Sequence, residues 1–283
     1  YDPYGNDEPN IEVSLFGANK FYLVFRQEKD LYLYKIQENG TKDPQWPTGG
    51  VPVAVNPYDY EKDPQIHITD QGVMVLWVDN RELDNEVNIY SQLFNMQGEP
   101  QFVANGVPVA SYPQSQDQYV SKWDGRLTVA WRDFRDSVDD NYDIFAQRFN
   151  LSDDVLSPVW DPQGVGIAVM DSAQTHVDIA IMYERVLAVW EDAYYDRDIY
   201  MGMIDSDGSV MGQQIRLTDH IKKQTEPKIA KIDHENAYVS WLDYISSGKE
   251  EIIGIYMQKV STAGFTPIAD NTIPRKAVTL HQN

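Results

Sequence analysis

One strand pair is written five times along the 283 residues. Its clearest copy is LTVAWRDFRDSVDDNYDIFAQRF (residues 127–149), a strand ending in Trp131-Arg132-Asp133, an acidic connection, and a second strand from Asp143 to Phe149. The frame returns as VMVLWVDNRELDNEVNIYSQLF (73–94), VLAVWEDAYYDRDIYMGMI (186–204) and AYVSWLDYISSGKEEIIGIYMQKV (237–260), with a worn first copy, FYLVFRQEKDLYLYKI (21–36). The anchoring aromatics Phe25, Trp77, Trp131, Trp190 and Trp241 stand 52, 54, 59 and 51 residues apart. Repeats of that length holding several short strands specify a propeller or a stacked array, because one such unit cannot bury its own apolar faces.

Each repeat reads as four strands, a to d. The first places them at 9–15, 21–25, 31–36 and 50–55, with Ile11, Val13 and Leu15 alternating against polar neighbours. The second has 64–68, 73–77, 88–94 and 106–110, and the third has 118–121, 127–131, 143–149 and 164–169. The fourth has 176–182, 186–190, 199–204 and 214–217, and the fifth has 227–232, 237–241, 252–260 and 277–280. Runs rich in β-branched and aromatic residues between Gly, Asn and Asp turns leave almost no helix. The expected fold is all-β, a β-propeller of five blades with four antiparallel strands each, which leaves only short protected edges. Behind a frayed segment at 1–7, one domain spans 8–283, with blades near 8–57, 58–113, 114–172, 173–223 and 224–283. An open solenoid would use a shorter repeat.

A hydrophobic share of 42% with 12% aromatic residues is ample for a core. No apolar run reaches the ~18 residues of a membrane span. Tyr1 opens no signal peptide, so a leader has been removed or the chain is an excised piece. Without cysteine there are neither disulfides nor thiolate metal sites. Acidic residues outnumber basic ones 44 to 23, and the net charge of −21 argues against nucleic acid or an anionic membrane as partner. It suits cations, basic proteins or neutral glycans.

The phrases WRDFRDSVDDNYDIFAQRFNLSDDVLSPVWDPQGVGIAV and VLWVDNRELDNEVNIYSQLFNMQGEPQFVANGVPVA resemble a degenerate repeat of the form W-D-R, D-I-Y-A-Q-R-F, turn, W, N-G-V-x-V. That repeat belongs to large secreted or cell-surface proteins of Bacteroidetes-like bacteria, often exported with a C-terminal sorting domain. The likeness is good in repeats two and three, fair in four and five, and weak in the first. It implies a secreted propeller module and no particular reaction.

Among the polar residues, Asp79, Asp133, Asp192 and Asp243 each follow a Trp by two. A residue repeated once per blade is most simply a structural device, an Asp at a strand end that accepts backbone N–H bonds from the following loop. Arg81 and Arg135 are then its local partners. The b–c connections (79–88, 133–143, 192–198 and 243–251) hold 15 Asp or Glu in 37 positions, where an even spread gives about six. One face should therefore be strongly acidic, as a solvated rim or as a cation site. The densest group, Asp136, Asp139, Asp140 and Asp143, supplies hard oxygen ligands suited to Ca²⁺, though no cofactor is required. Asp205-Ser206-Asp207-Gly208 mimics the start of an EF-hand, but its twelfth position is Arg216 and its counterparts are hairpin turns. The five histidines show no zinc spacing; His67 and His176 fall on a strands.

Near the start of each a strand stands a polar residue: Asn10, Gln65, Gln118, Asp178 and Lys228. With strand a innermost, these would ring a channel mouth and form a ligand floor, flanked by Tyr58, Tyr60, Tyr112, Tyr194 and Tyr195. Such a site suits a glycan or a protein segment. The leading expectation is a non-catalytic extracellular binding or adhesion module, monomeric or part of a longer chain, without membrane insertion. The alternatives are a five-bladed glycoside hydrolase, which needs two carboxylates about 5–10 Å apart at positions not repeated between blades, and an architectural spacer. Asp178 and Glu12 are the a-strand candidates for such acids.

Overall fold

The computed structural model describes residues 11–16, 20–27, 29–55, 61–81, 86–135, 141–193, 197–247 and 250–262. These form twenty strands and no helix. Two compact units divide the chain, Tyr1–Asp117 with Asn150–Ser157, and Gln118–Phe149 with Pro158–Asn283.

The strands make five antiparallel sheets that follow one another in sequence. The first contains β1 (Ile11–Phe16), β2 (Lys20–Gln27), β3 (Asp30–Gln37) and β4 (Val51–Ala54). The second contains β5 (Lys62–Ile68), β6 (Val73–Asp79), β7 (Asn88–Phe94) and β8 (Val107–Ala110). The third contains β9 (Gln116–Trp123), β10 (Leu127–Asp133), β11 (Asp143–Ser152), β12 (Val155–Pro158) and β13 (Val165–Ala168). The fourth contains β14 (Gln174–Met182), β15 (Arg185–Asp192), β16 (Asp198–Ile204) and β17 (Val210–Arg216), and the fifth β18 (Gln224–Lys231), β19 (Asn236–Ser247) and β20 (Glu250–Ser261). Strands a to d thus appear in meander order in the first, second and fourth sheets.

Two sheets depart from the expected plan. In the third, β11 runs past Phe149 and turns at Asp153 and Asp154, both at left-handed φ, into the additional strand β12. That hairpin accounts for the long 59-residue step between Trp131 and Trp190. In the fifth, 243–251 is largely not a connection: β19 and β20 stay paired from Asn236↔Ser261 to Ser247↔Glu250. The expected fourth strand there, 277–280, lies outside the described residues, as do 1–10.

Central strands read as unbroken apolar runs because both their faces are covered. In β15, Val186, Ala188 and Trp190 join Ala130, Ile144, Ala146 and Ile167 of the third sheet in one core layer. Leu187 and Val189 join Ile229, Val239 and Trp241 of the fifth in the next. In the first unit Tyr22, Val24, Leu31 and Leu33 pack likewise with Val73, Val75 and Trp77.

The repeated Trp anchors each layer. Trp77, Trp131 and Trp190 are fully buried and Trp241 is 9% exposed. Each is paired across the strands with an aromatic residue, Tyr90, Phe145, Tyr200 and Tyr256 respectively. The ring centroids are 6.4 Å apart in all four pairs. The indole tip also explains the glycine of N-G-V: at Gly106 (φ +79) a Cβ would stand 2.6 Å from Trp77 Cη2, and at Gly164 (φ +81) 2.9 Å from Trp131 Cη2. Gly106→Ala therefore combines a left-handed backbone with a clash against an indole and the Ser91 carbonyl. It is expected to lower stability by more than about 1 kcal/mol, read from urea unfolding midpoints.

Candidate functional site

The W-x-D ends of the b strands are built in two ways. In the second and third sheets the Asp clamps its own strand end. Trp77 Nε1 donates to Asp79 Oδ2 at 2.9 Å and Trp131 Nε1 to Asp133 Oδ2 at 2.7 Å. The backbone N–H groups of Arg81 and Arg135 donate to the other oxygen at 3.1 and 2.9 Å. Each guanidinium forks onto the same carboxylate and lies over the aromatic partner of the Trp, 3.6 Å from the Tyr90 centroid and 4.1 Å from that of Phe145. W-x-D-x-R is thus one structural unit.

In the fourth and fifth sheets the Asp turns to the incoming a strand instead. Asp192 accepts from Ser172 Oγ at 2.7 Å and Gln174 Nε2 at 3.3 Å, and Asp243 accepts from Gln224 Nε2 at 3.4 Å. Trp190 and Trp241 are left with no hydrogen-bond partner for Nε1 among the described residues. Gln116, Gln174 and Gln224 are fully buried at the equivalent first position of their strands. The sequence reading passed over them, though three glutamines at one register position carry a signal.

Two residues further on, the a strands of the fourth, fifth and second sheets bulge. Thr175 pairs with Glu191 and Asp178 with Val189, so His176 and Val177 together oppose Trp190. Glu226 and Pro227 oppose Trp241 in the same way, and in the first unit Asp63 and Pro64 oppose Trp77. The leading bulge residue is left-handed in every case: Asp63 (φ 52), Gln118 (φ 43), His176 (φ 54) and Glu226 (φ 54). All four are exposed. Non-glycine residues in this region cost about 1–3 kcal/mol, and bulges serve to re-aim side chains. Pro64 and Pro227 fit because a bulge leaves an N–H unused.

The bulge also re-registers the predicted ring. Counted from the bulge, the residue equivalent to Gln65, Asp178 and Lys228 is Val120; Gln118 belongs with Asp63, His176 and Glu226. The spacing to the following Trp, 12 residues from Gln65 and Asp178 but 11 from Val120 and 13 from Lys228, is what hides the frame. Of the other expected residues, Asn10, Tyr58, Tyr60, Tyr194 and Tyr195 lie outside the described residues. Gln65 stands on β5, partly buried, in the first unit. Of the expected calcium group, Asp136, Asp139 and Asp140 also lie outside, whereas Asp143 is buried at the head of β11 opposite Asp133.

Within the second unit, two carboxylates share one face of the fourth sheet, with Gln118 beside His176 and Lys228 next in sequence to the Ile229 whose N–H reaches Asp178. Asp178, 6% exposed, accepts from the N–H of Ile179 at 2.9 Å and from that of Ile229, beside Lys228, at 3.0 Å. Lys122 Nζ stands 3.9 Å from Asp178 Oδ1. The second carboxylate, Glu191, was missed by sequence reasoning, although Val78, Arg132 and Leu242 hold the equivalent positions and an acid after the Trp is unique to this repeat. Its side chain is 1% exposed. Oε1 accepts from Glu226 N–H at 2.6 Å and lies 3.1 Å from His176 Nδ1; Oε2 lies 3.2 Å from Arg197 Nη1. Burial alone would raise its pKa. The His176 hydrogen bond, the Glu226 amide and the charges of His176 and Arg197 outweigh that and hold it below the usual glutamate value. Both carboxylates thus fasten β14 and β15 to β18. Gln118 Oε1 is 3.5 Å from His176 N, and the side chains of Gln118, His176, Glu226 and Lys228 reach solvent around this base.

No protein-family model and no curated protein matches the chain. Among solved structures it is similar to a protein of unknown function from Dyadobacter fermentans, at 10% identity over 90% of this chain and 78% of that one, with a TM-score of 0.53. It also aligns with a thermostable family-43 glycoside hydrolase at 10% identity over 88% of each chain, TM-score 0.49. An endo-arabinase from Bacteroides thetaiotaomicron aligns at 11% identity over 87% of this chain and 92% of that one, TM-score 0.45. The Dyadobacter likeness is one of fold alone.

Proposed function

We propose that the chain is a secreted or cell-surface β-propeller of five blades that binds a glycan, without cleaving it, at the bulged ends of its a strands. Five sequential meander sheets with face-to-face core layers support the architecture. The observation that carries the function is the base of the second unit's site. Asp178 and Glu191 are committed to backbone amides of β18, while Gln118, His176, Glu226 and Lys228 project to solvent from strained or adjacent positions. Amide, imidazole, ammonium and carboxylate groups of mixed charge, set on a rigid floor, suit hydroxyl-rich ligands. The test is a glycan array followed by titration of the strongest hit. The Gln118→Leu/Lys228→Met double variant is expected to weaken binding at least about tenfold, the worth of one good hydrogen bond, with its melting curve unchanged. Full affinity in that variant moves the site elsewhere.

A second reading, glycoside hydrolysis, is favoured by one observation. Asp178 and Glu191 are acids at non-repeated positions on one sheet face, Glu191 being two residues beyond the Val189 that pairs with Asp178. Such an enzyme needs one protonated and one ionised carboxyl, and Glu191, held below its usual pKa, fits only the ionised role. Against that role, Glu191 is 1% exposed and committed to the Glu226 N–H. Release of reducing sugar from arabinan or xylan, lost by ~100-fold or more in Glu191→Gln and Asp178→Asn, would replace the binding reading. Calcium at Asp136, Asp139, Asp140 and Asp143 is a separate proposal. A cation held only by the folded form raises the melting temperature, so identical curves in Ca²⁺ and EDTA dismiss it.

A further inference from the structure

At the other end of the same strands the second unit holds a cavity of about 410 Å³, lined among others by Tyr183, Glu184, Arg185, Asp205, His234 and Glu235. Tyr183 and Glu184 form the two-residue turn between β14 and β15, closed by the Met182↔Arg185 pair. Tyr183 takes φ +58 and leaves 64% of its surface exposed. Turns of this length favour Gly at a left-handed position, and the corresponding turn of the third sheet has Gly125 at φ +96. A large aromatic side chain at that position, facing water, serves neither the turn nor the core. Its ring stacks on His234 of the fifth sheet, centroids 4.0 Å apart at 22°, which fixes the tyrosine in place.

The charges around this platform are largely paired. Arg185 Nε lies 3.4 Å from Asp205 Oδ1, and Arg126 bonds Glu184. Arg148, 1% exposed, ties the base together by donating to the Glu184 carbonyl and to Asp124. A flat ring beside fixed, mutually neutralised donors and acceptors fits a polyol ring better than an anion or a cation. The volume, at the low end of small-ligand pockets, matches one or two sugar rings.

We infer that the Tyr183–His234 cleft is a second binding site, for a neutral saccharide of one or two rings. It is independent of the proposed site at the bulged strand ends. The test titrates cellobiose, xylobiose and maltose by calorimetry up to about 20 mM, a range that detects millimolar affinity. The expected result is that at least one binds. Tyr183→Gly, which relaxes the turn, should weaken that binding tenfold or more while the melting temperature is kept or raised. Tyr183→Asn, also tolerant of left-handed φ, should do the same. The Gln118→Leu/Lys228→Met variant should bind as the unaltered chain does. The inference is overturned if none of the three sugars binds, or if binding persists in both Tyr183 variants. Unfolding of both variants also overturns it, by assigning the tyrosine to the fold. Loss of binding only in Gln118→Leu/Lys228→Met refutes the cleft and supports the other site.

Discussion

Trp131→Ala is expected to lower the unfolding free energy by about 3–5 kcal/mol, among the largest single losses the domain can show. The indole is fully buried, sits over Phe145, closes against Gly164, and donates to Asp133. Truncation removes the apolar contacts, leaves a buried cavity, and strips a buried carboxylate of a donor. The informative comparison is with phenylalanine. Trp131→Phe loses volume and also a hydrogen bond to a charged group, the latter worth about 1.5–3 kcal/mol. Trp190→Phe loses similar volume, but the Trp190 indole N–H has no partner among the described residues, so no such bond is lost. Urea denaturation of both variants should show Trp131→Phe to be the more destabilised. Equal losses would mean that the Trp-to-Asp bond contributes nothing net, and that the motif is kept for packing alone.

That contrast marks how far the sequence could be read. The repeat of Trp, the paired c strands and the N-G-V turns were legible because each answers a local demand: two covered faces, a left-handed turn, an indole beneath a backbone. W-x-D-x-R was legible as scaffold because a residue repeated in several sheets seldom marks one site. The ring of polar a-strand residues was misaligned at Gln118, since the spacing to the Trp varies between repeats and the apolar pattern of β9 tolerates either frame. Glu191 was invisible for the opposite reason. It stands in an apolar strand next to the repeated Trp and Asp, where its separate role appears only once β18 brings the Glu226 amide to it. The long β19–β20 hairpin was hidden by its own serine and acidic residues, Asp243, Ser246, Ser247, Glu250 and Glu251, which read as a connection although they pair.

Glu191 also gives the domain a predictable acid sensitivity. Its pKa is lower in the folded chain than its ordinary value, so the stability it contributes is fully present above that ordinary value of 4.5. It is lost as the pH falls through the lower folded value and the carboxylate is protonated in both states. The groups that hold it ionised are His176, the Glu226 amide and Arg197, with Thr175 Oγ1 at 3.5 Å. Glu191→Gln keeps the shape and an acceptor but not the charge. At neutral pH it should cost about 1.5–3 kcal/mol, the range for hydrogen bonds to charged groups, because the site is almost wholly buried. Unfolding curves of the unaltered chain and of Glu191→Gln, measured from neutral pH down to about 3, should therefore converge as the acid limit is approached. A gap that stays constant across that range would show that the loss comes from packing. Glu191 would then be a space-filling residue and not an ionic clamp between β15 and β18.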